Sequence, residues 1–232
     1  MKVLTIMGTQ HKGNTRAITD LFLNEFIDER NEFDEIILPN DFQNFCYGCA
    51  NCILKGEKYC PHFNDVNKIV EKIEKVDLII IATPVFVGSC TGGLKALLDH
   101  LAYIWLVHRP KEIMFNKVGL IVTSAGGSGV KDTVKLLKSN FSFWGVSKVY
   151  NYGVTTMKMG GNYVDYNKKD IIKKQVKHKA NKIKQTLNSK NKVGLKTKFL
   201  FNIFKMSQKN GWNKTDVDYW KEKGWLNGKK PF

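Results

Sequence analysis

Residues 76–85, VDLIIIATPV, form a nearly continuous apolar run. A strand with this pattern is buried on both faces, and such strands belong to parallel sheets that carry helices on both sides. Two further runs, 2-KVLTIMG-8 and 117-KVGLIVTS-124, have the same character. The three runs together predict an α/β protein with a buried parallel sheet.

Segments with apolar residues at helical spacing alternate with the strand-like runs. We predict strands at residues 2–8, 35–38, 76–85, 117–124 and 149–154, and helices at 14–28, 66–74, 92–105 and 165–188. A further helix is predicted after the glycines that follow residue 124, and it ends at about residue 143. This alternation predicts a doubly wound, five-stranded parallel sheet with right-handed crossovers, and five strands favour the order 2-1-3-4-5. We predict one domain at residues 1–190. Residues 191–232, where aromatic side chains are interleaved with lysines, are predicted to be a C-terminal helical extension of it.

The composition is that of a folded protein. The chain has 232 residues, of which 43% are hydrophobic and 12% aromatic, and this excludes an intrinsically disordered chain. No apolar run approaches the roughly 20 residues of a membrane-spanning helix, and the N-terminus begins a strand rather than a signal peptide. We therefore expect a cytoplasmic protein whose five cysteines are metal ligands, redox groups or free thiols rather than disulfides.

The net charge of +16 is concentrated in one segment. Residues 168–198 contain twelve lysines and one acid, Asp170. A solvated helix face explains this run, and we expect no specific nucleic acid and no membrane as a partner. The alternative is that these lysines and the aromatic residues that follow bind an anionic membrane or nucleic acid, for which we expect only weak, salt-sensitive DNA binding.

Three polar or glycine-rich loops follow predicted strands. The first offers glycine turns, hydroxyl and amide donors, and the N-terminus of a helix, which together favour a phosphate ester; it comprises Gly8, Thr9, Gln10, His11, Lys12, Gly13, Asn14 and Thr15. The second comprises Thr83, Pro84, Val85, Phe86, Val87 and Gly88, and the third comprises Thr123, Ser124, Ala125, Gly126, Gly127, Ser128 and Gly129.

The carboxyl ends of parallel strands meet at one edge of a sheet, so the three loops are predicted to form one ligand site there. An aromatic side chain beside small residues suits a planar ring. The alternatives are ordinary turns between strands and helices, with Asn14 as the cap of the first helix.

Four cysteines follow the second strand, in a C-x2-C-x2-C-x7-C pattern formed by Cys46, Cys49, Cys52 and Cys60. Four thiolates on a short loop are able to hold an iron–sulfur cluster or, less readily, zinc. The alternative is four reduced thiols in a flap over the ligand site. Cys90 stands apart and is predicted to be packed and inert.

Together, the three loops, the cysteine run, and Lys95 and Asp99 resemble the NAD(P)H-dependent FMN reductases of the flavodoxin-like superfamily, and more narrowly the iron–sulfur flavoproteins. The resemblance covers roughly residues 1–155, and residues 218–225 resemble the tail of many such oxidoreductases. The sequence departs from the family at His11, where arginine is usual, and at Phe86, where tyrosine is common.

The resemblance implies non-covalent FMN. Its phosphate would be held by Thr9, His11, Asn14 and Thr15. Its ring would lie between Pro84, Val85 and Phe86 on one loop and Ser124, Gly126 and Gly127 on the other. In iron–sulfur flavoproteins the cysteine run holds a [4Fe–4S] cluster near the flavin.

The implied function is an oxidoreductase that passes electrons from NAD(P)H through FMN to a quinone, a flavin, a nitro or azo compound, or an electron-carrier protein. No side chain stands out as a general acid or base. The resemblance also implies a homo-oligomer. The alternative function is a flavodoxin-like electron-transfer protein without a substrate of its own, which would need a separate reductase.

Overall fold

Five parallel strands form a single sheet in the order β2-β1-β3-β4-β5. The computed structural model describes residues 1–156, 166–189 and 193–232, and for residues 166–169 it describes the backbone alone. The strands are β1 (Lys2–Met7), β2 (Glu32–Ile37), β3 (Leu78–Pro84), β4 (Val118–Ala125) and β5 (Lys148–Thr155). The predicted order 2-1-3-4-5 is confirmed.

The register places the apolar runs side by side at the centre of the sheet. One row across the sheet runs from Glu35 on the edge strand through Thr5, Ile80 and Leu120 to Tyr150. β4 is buried along its whole length, and β3 is buried up to its last residue. This is the pattern that the continuous apolar runs predict for strands covered on both faces.

Helices cover both faces of the sheet. α1 (Asn14–Phe26) and α6 (Tyr166–Asn188) pack on one face. The other carries α3 (Phe63–Lys75), α4 (Gly92–His100) and α5 (Val130–Phe143). In the described part of α6, Ile172, Val176 and Ile183 are buried, whereas every lysine whose side chain the structure describes is exposed or partly exposed. The predicted start of this helix at residue 165 lies outside the described residues.

Several element boundaries differ from those predicted. β2 begins at Glu32 rather than at residue 35, because three further residues pair with β1. Their side chains are exposed and mostly charged, so the sequence pattern does not indicate a strand there. The segment 42–62, for which no helix or strand is predicted, contains a short helix, α2 (Asn51–Leu54), and a 3₁₀ turn at Glu57–Tyr59. The helix predicted to reach residue 105 ends at His100 and continues as a 3₁₀ helix, Leu101–Ile104.

The C-terminal extension forms two helices, α7 (Leu195–Lys209) and α8 (Lys214–Glu222). Together with the segment between α4 and β4 they form a third apolar cluster, in addition to the two on the faces of the sheet. This third cluster is composed of Leu106, Phe115, Phe201, Trp220 and Trp225. Trp220 stacks on Phe201 at 5.0 Å between ring centroids, and its indole N–H donates to the His108 carbonyl at 2.6 Å. The boundary predicted at residue 190 lies outside the described residues. Among the described helices, none combines the length and the apolar character needed to cross a bilayer.

We expect Trp220→Ala to lower the free energy of unfolding by about 3–5 kcal/mol, because it leaves a cavity in the third cluster. Trp212→Ala is the matched control in the same extension. Its side chain is 64% exposed, so its effect should stay within about 0.5 kcal/mol. Urea unfolding followed by circular dichroism measures both. Equal losses in the two variants would show that the extension does not pack as described.

Candidate functional site

A cleft of about 590 Å³ opens at the carboxyl edge of the sheet. Its volume falls in the range of roughly 300–1,000 Å³ that is usual for small-molecule sites. The ends of β1, β3 and β4 all contribute residues to it. The predicted site residues that line the cleft are Thr9, His11, Gly13, Asn14, Thr15, Pro84, Val85, Phe86, Ser124, Ala125 and Gly126. The structure therefore brings the three predicted loops together in one place.

Five of the predicted site residues are not in the lining of the cleft: Lys12, Val87, Gly88, Thr123 and Gly127. Thr123 is fully buried beside Ser124, and neighbouring residues of a strand point to opposite faces of the sheet. Lys12 is exposed on the loop surface, and Val87 is 92% exposed at a loop tip.

Gly8 and Gln10 of the predicted first loop also line the cleft, and so do residues outside the three predicted loops: Leu38, Pro39, Thr91, Gly92, Gly93 and Thr156. Leu38 and Pro39 follow β2, and Thr156 follows β5. The carboxyl-end rule that selected the central loops would have found them if it had been applied to the outer strands as well. Thr91 precedes α4, and its hydroxyl donates to the Gly8 carbonyl, which ties the second loop region to the first.

The first loop presents the N-terminus of α1 to the cleft. The helix cap is Gly13, which makes no side-chain capping bond, so the alternative that Asn14 caps this helix is wrong. The first N–H groups of a helix lack intrahelical partners and attract anions. Asn14 Oδ1 is buried and has no hydrogen-bond partner among the described residues. Rotation of this amide by half a turn presents its NH₂ group in the same place. This end of the cleft suits an anion.

A hydrogen bond fixes the first loop to the third. The hydroxyls of Thr15 and Ser124 lie 2.7 Å apart, and both residues are buried. Thr19 donates to the Thr15 carbonyl at 2.8 Å, which holds this turn of α1 in place. The two loops are therefore held as one unit by side chains 109 positions apart in the sequence.

The second loop is a strained turn that packs on the third. Phe86 and Ser89 exchange backbone hydrogen bonds around Val87, whose φ of 49° is unfavourable for a β-branched residue. A Cβ on Gly129 would lie 2.7 Å from Val85 Cγ1, so only glycine permits this close approach. Strain of this kind is retained where the surrounding structure enforces it, commonly at ligand sites. Phe86 is 66% exposed beside the cleft.

The cysteine loop lies on the surface around α2. Cys46 and Cys49 are exposed, whereas Cys52 and Cys60 are partly buried. Burial, with smaller contributions from the neighbouring thiols, raises the pKa of Cys52 to about 11. The backbone bends at Gly48 and Ala50, which both have positive φ, and the Gly48 N–H lies 3.5 Å from Cys46 Sγ. The loop therefore places one backbone N–H group near a cysteine sulfur.

A histidine pair lies next to Cys60. Among the described residues, a group of metal-type ligand atoms within 4.8 Å of one another is formed by Cys60, His62 and His100, and the other three cysteines are not part of it. His62 Nδ1 lies 2.9 Å from His100 Nε2, and His100 Nδ1 donates to the Ala96 carbonyl at 2.7 Å. Burial lowers the pKa of His100, which favours the neutral ring.

Comparison with known proteins places the chain among flavoproteins. The family described as NADPH-dependent FMN reductase matches residues 1–158. An iron–sulfur flavoprotein of Archaeoglobus fulgidus is 26% identical over 97% of this chain and 100% of its own length. Another, from Methanocaldococcus jannaschii, is 34% identical over 61% of this chain and 71% of its own. The solved FMN-dependent NADH-azoreductase of Bacillus anthracis, in complex with FMN, has a TM-score of 0.61 at 14% identity and covers 78% of this chain and 98% of its own. At that identity it shows the fold alone.

We expect iodoacetamide to alkylate Cys52 at least about tenfold more slowly than the exposed Cys46 and Cys49 at pH 8. A thiol with a pKa of about 11 is only about 0.1% thiolate at that pH. The rate at Cys52 should continue to rise as the pH approaches 11. Peptide mass spectrometry of the reduced, metal-free protein measures each rate. Equal rates at the three cysteines would contradict the described burial of Cys52.

Proposed function

The chain belongs to the family of NADPH-dependent FMN reductases and is therefore an oxidoreductase, and we propose that it passes electrons from NAD(P)H, through FMN held in the cleft, to a second substrate. The observation that carries this proposal is the cleft itself. Three loops from β1, β3 and β4 meet there. At one end lie the N-terminus of α1 and the buried Asn14 Oδ1, which has no hydrogen-bond partner in the described part of the chain.

The phosphate of FMN would lie at the N-terminus of α1. There the backbone N–H groups of the first turn, the Asn14 amide and the Thr9 hydroxyl would donate to its oxygens. The Thr15 hydroxyl is hydrogen-bonded to the Ser124 hydroxyl, and this bond would hold the first loop in place beside the phosphate. His11 packs over Gly13, where a Cβ would lie 3.0 Å from its ring. Lys12, on the exposed surface, would contribute only long-range positive charge.

The flavin ring would lie between the second and third loops. Pro84, Val85 and Phe86 would contact it from one side, and Ser124, Ala125 and Gly126 from the other, since both sets line the cleft. Gly127, Val87, Gly88 and Thr123 would support these loops from outside the lining. Bound FMN would supply hydride acceptance and would pass the two electrons on, singly or as a pair. The protein's part is to orient the ring and to leave one face open to NAD(P)H.

The second substrate is proposed by chemical class alone. A quinone, a free flavin, a nitro or azo compound, or an electron-carrier protein accepts electrons from such a site. Membership of the reductase family supports an enzyme rather than a flavodoxin-like carrier. The two differ in one assay, because an enzyme oxidises NAD(P)H unaided and a carrier does not. A homo-oligomer and a cytoplasmic location stay predictions.

The cysteine loop is proposed to hold a [4Fe–4S] cluster through Cys46, Cys49, Cys52 and Cys60. Two features support this: the C-x2-C-x2-C-x7-C spacing and the N–H group near Cys46 Sγ. Two relatives named iron–sulfur flavoproteins add to it. A cluster there would supply one-electron transfer, and the loop's part would be to hold four thiolates at fixed distances.

We expect Asn14→Ala to weaken FMN binding by about tenfold or more, since it removes a hydrogen bond to a charged group. Riboflavin lacks the phosphate, so its affinity should change by less than about threefold, no more than the loss of one weak hydrogen bond between uncharged groups would cause. Quenching of flavin fluorescence measures both affinities. Asn67→Ala, on the exposed face of α3, is the control and should change neither. Equal losses for the two flavins would contradict the phosphate assignment, and no FMN binding by the unaltered protein would contradict the proposed function.

We expect anaerobically reconstituted protein to hold about four irons per chain, with broad absorbance beyond the flavin bands. Cys49→Ser should lose the iron. Cys90→Ser is the control, and it should retain the iron because Cys90 is buried and is not one of the four proposed ligands. Iron analysis and absorption spectra report both results. Protein that holds no iron yet oxidises NAD(P)H at the full rate would contradict the cluster while leaving the FMN reductase proposal intact.

A further inference from the structure

We propose that the C-terminal extension positions the cysteine loop, through α8 and the buried Arg109. The inference deepens the proposed function, because a cluster needs its thiolates held at fixed positions. The positioning itself concerns the loop alone and is testable without iron. Arg109, Asn213, Thr215 and Asp216 are its positioning residues.

Side chains from distant parts of the chain donate hydrogen bonds to the carbonyl groups at the C-terminal end of α2. A helix leaves its last carbonyl groups without intrahelical partners, and the last three carbonyls of α2 belong to Cys52, Ile53 and Leu54. The Arg109 guanidinium donates to the carbonyls of Cys52 and Ile53. Side chains near the start of α8 donate to two of these carbonyls: Asn213 to Ile53 at 2.9 Å and Thr215 to Leu54 at 2.7 Å.

Arg109 also binds the segment between the last two cysteines. Its Nε lies 3.3 Å from a carboxylate oxygen of Glu57, which is in the 3₁₀ turn between Cys52 and Cys60. One guanidinium therefore contacts the chain at Cys52, Ile53 and Glu57. The guanidinium is planar and rigid, so these contacts fix the relative positions of the segments that carry both cysteines.

Asp216 holds Arg109 in this position. Its carboxylate is fully buried and accepts from Arg109 Nη1, from His108 Nδ1 at 2.8 Å and from Asn213 Nδ2 at 3.2 Å. α8 is itself anchored to the segment after α4, through Trp220 to the His108 carbonyl and through the Tyr219 hydroxyl to the Pro110 carbonyl. The extension is thus a fixed support, and the loop is bound to it.

Burial orders the loop only in part. A helix of four residues is not stable alone, and no residue of α2 is fully buried, although Cys52 and Ile53 pack against the core. The first two cysteines of the run are exposed. The hydrogen bonds to the α2 carbonyls are therefore the contacts whose loss should free Cys52 without unfolding the sheet.

The test uses Thr215→Val, which keeps the shape of the side chain and removes the donor to Leu54. We expect Cys52 in the reduced, metal-free full-length protein to react with iodoacetamide about fivefold faster, the factor that corresponds to one hydrogen bond. Trypsin should also cleave faster at Lys55 and Lys58. Thr215→Ser restores the hydroxyl and should restore the original rates. Asp218→Asn is the matched control on α8, since Asp218 pairs only with Lys214 among the described residues.

A second variant, Asp216→Asn, removes the charge that holds Arg109 and should raise the Cys52 rate more than Thr215→Val does. Circular dichroism and FMN binding check that each variant is folded. Unchanged Cys52 rates in folded Thr215→Val protein would overturn the proposal, whatever happens to Asp216→Asn. If the unaltered protein binds no iron but the variants free Cys52, the positioning is supported and the cluster is not. If it binds iron, chelator should remove that iron faster from Thr215→Val than from Thr215→Ser.

Discussion

Burial of β3 and β4 on both faces is the constraint on which the rest of the structure depends. Backbone N–H and C=O groups without access to water must pair with one another. Parallel pairing satisfies them here and turns the carboxyl ends of β1, β3 and β4 to the same edge of the sheet. The loops that follow these strands therefore lie side by side, and the bond between Thr15 and Ser124 fixes two of them together. The cleft is a consequence of how the core is buried.

The two candidate redox elements rest on different supports. The cleft is built on the sheet, where Gly129 allows the second and third loops to approach closely and Val87 is held in a strained conformation. The cysteine loop has few buried residues of its own and is bound through Arg109 to α8. The extension packs on the segment after α4 through aromatic residues. Substitutions in the extension are therefore expected to alter the positions of the cysteines more than the geometry of the cleft.

Most of the cleft is predictable from the sequence, because one rule applied to the central strands selects the loops that follow them. Leu38, Pro39 and Thr156 were not predicted because they follow the outer strands, whose sequences are less apolar. Thr123 was predicted to be a site residue although it lies outside the lining of the cleft, because the choice of a whole loop does not resolve which way each side chain of a strand points. The start of β2 differs from the prediction because its exposed, charged side chains carry no apolar pattern, although their backbone pairs with β1.

The sequence by itself determined the parallel sheet, its strand order and the meeting of the three loops. These follow from hydrophobic periodicity and from chain connectivity, which are local properties. The cysteine spacing is equally local. Only the tertiary structure decided how the cysteine loop is held, because the contacts of Arg109 with Cys52 and Asp216 join residues 57 and 107 positions apart. No periodic pattern encodes such a contact. It exists because the aromatic residues of the extension pack against the segment after α4 and bring α8 beside the loop.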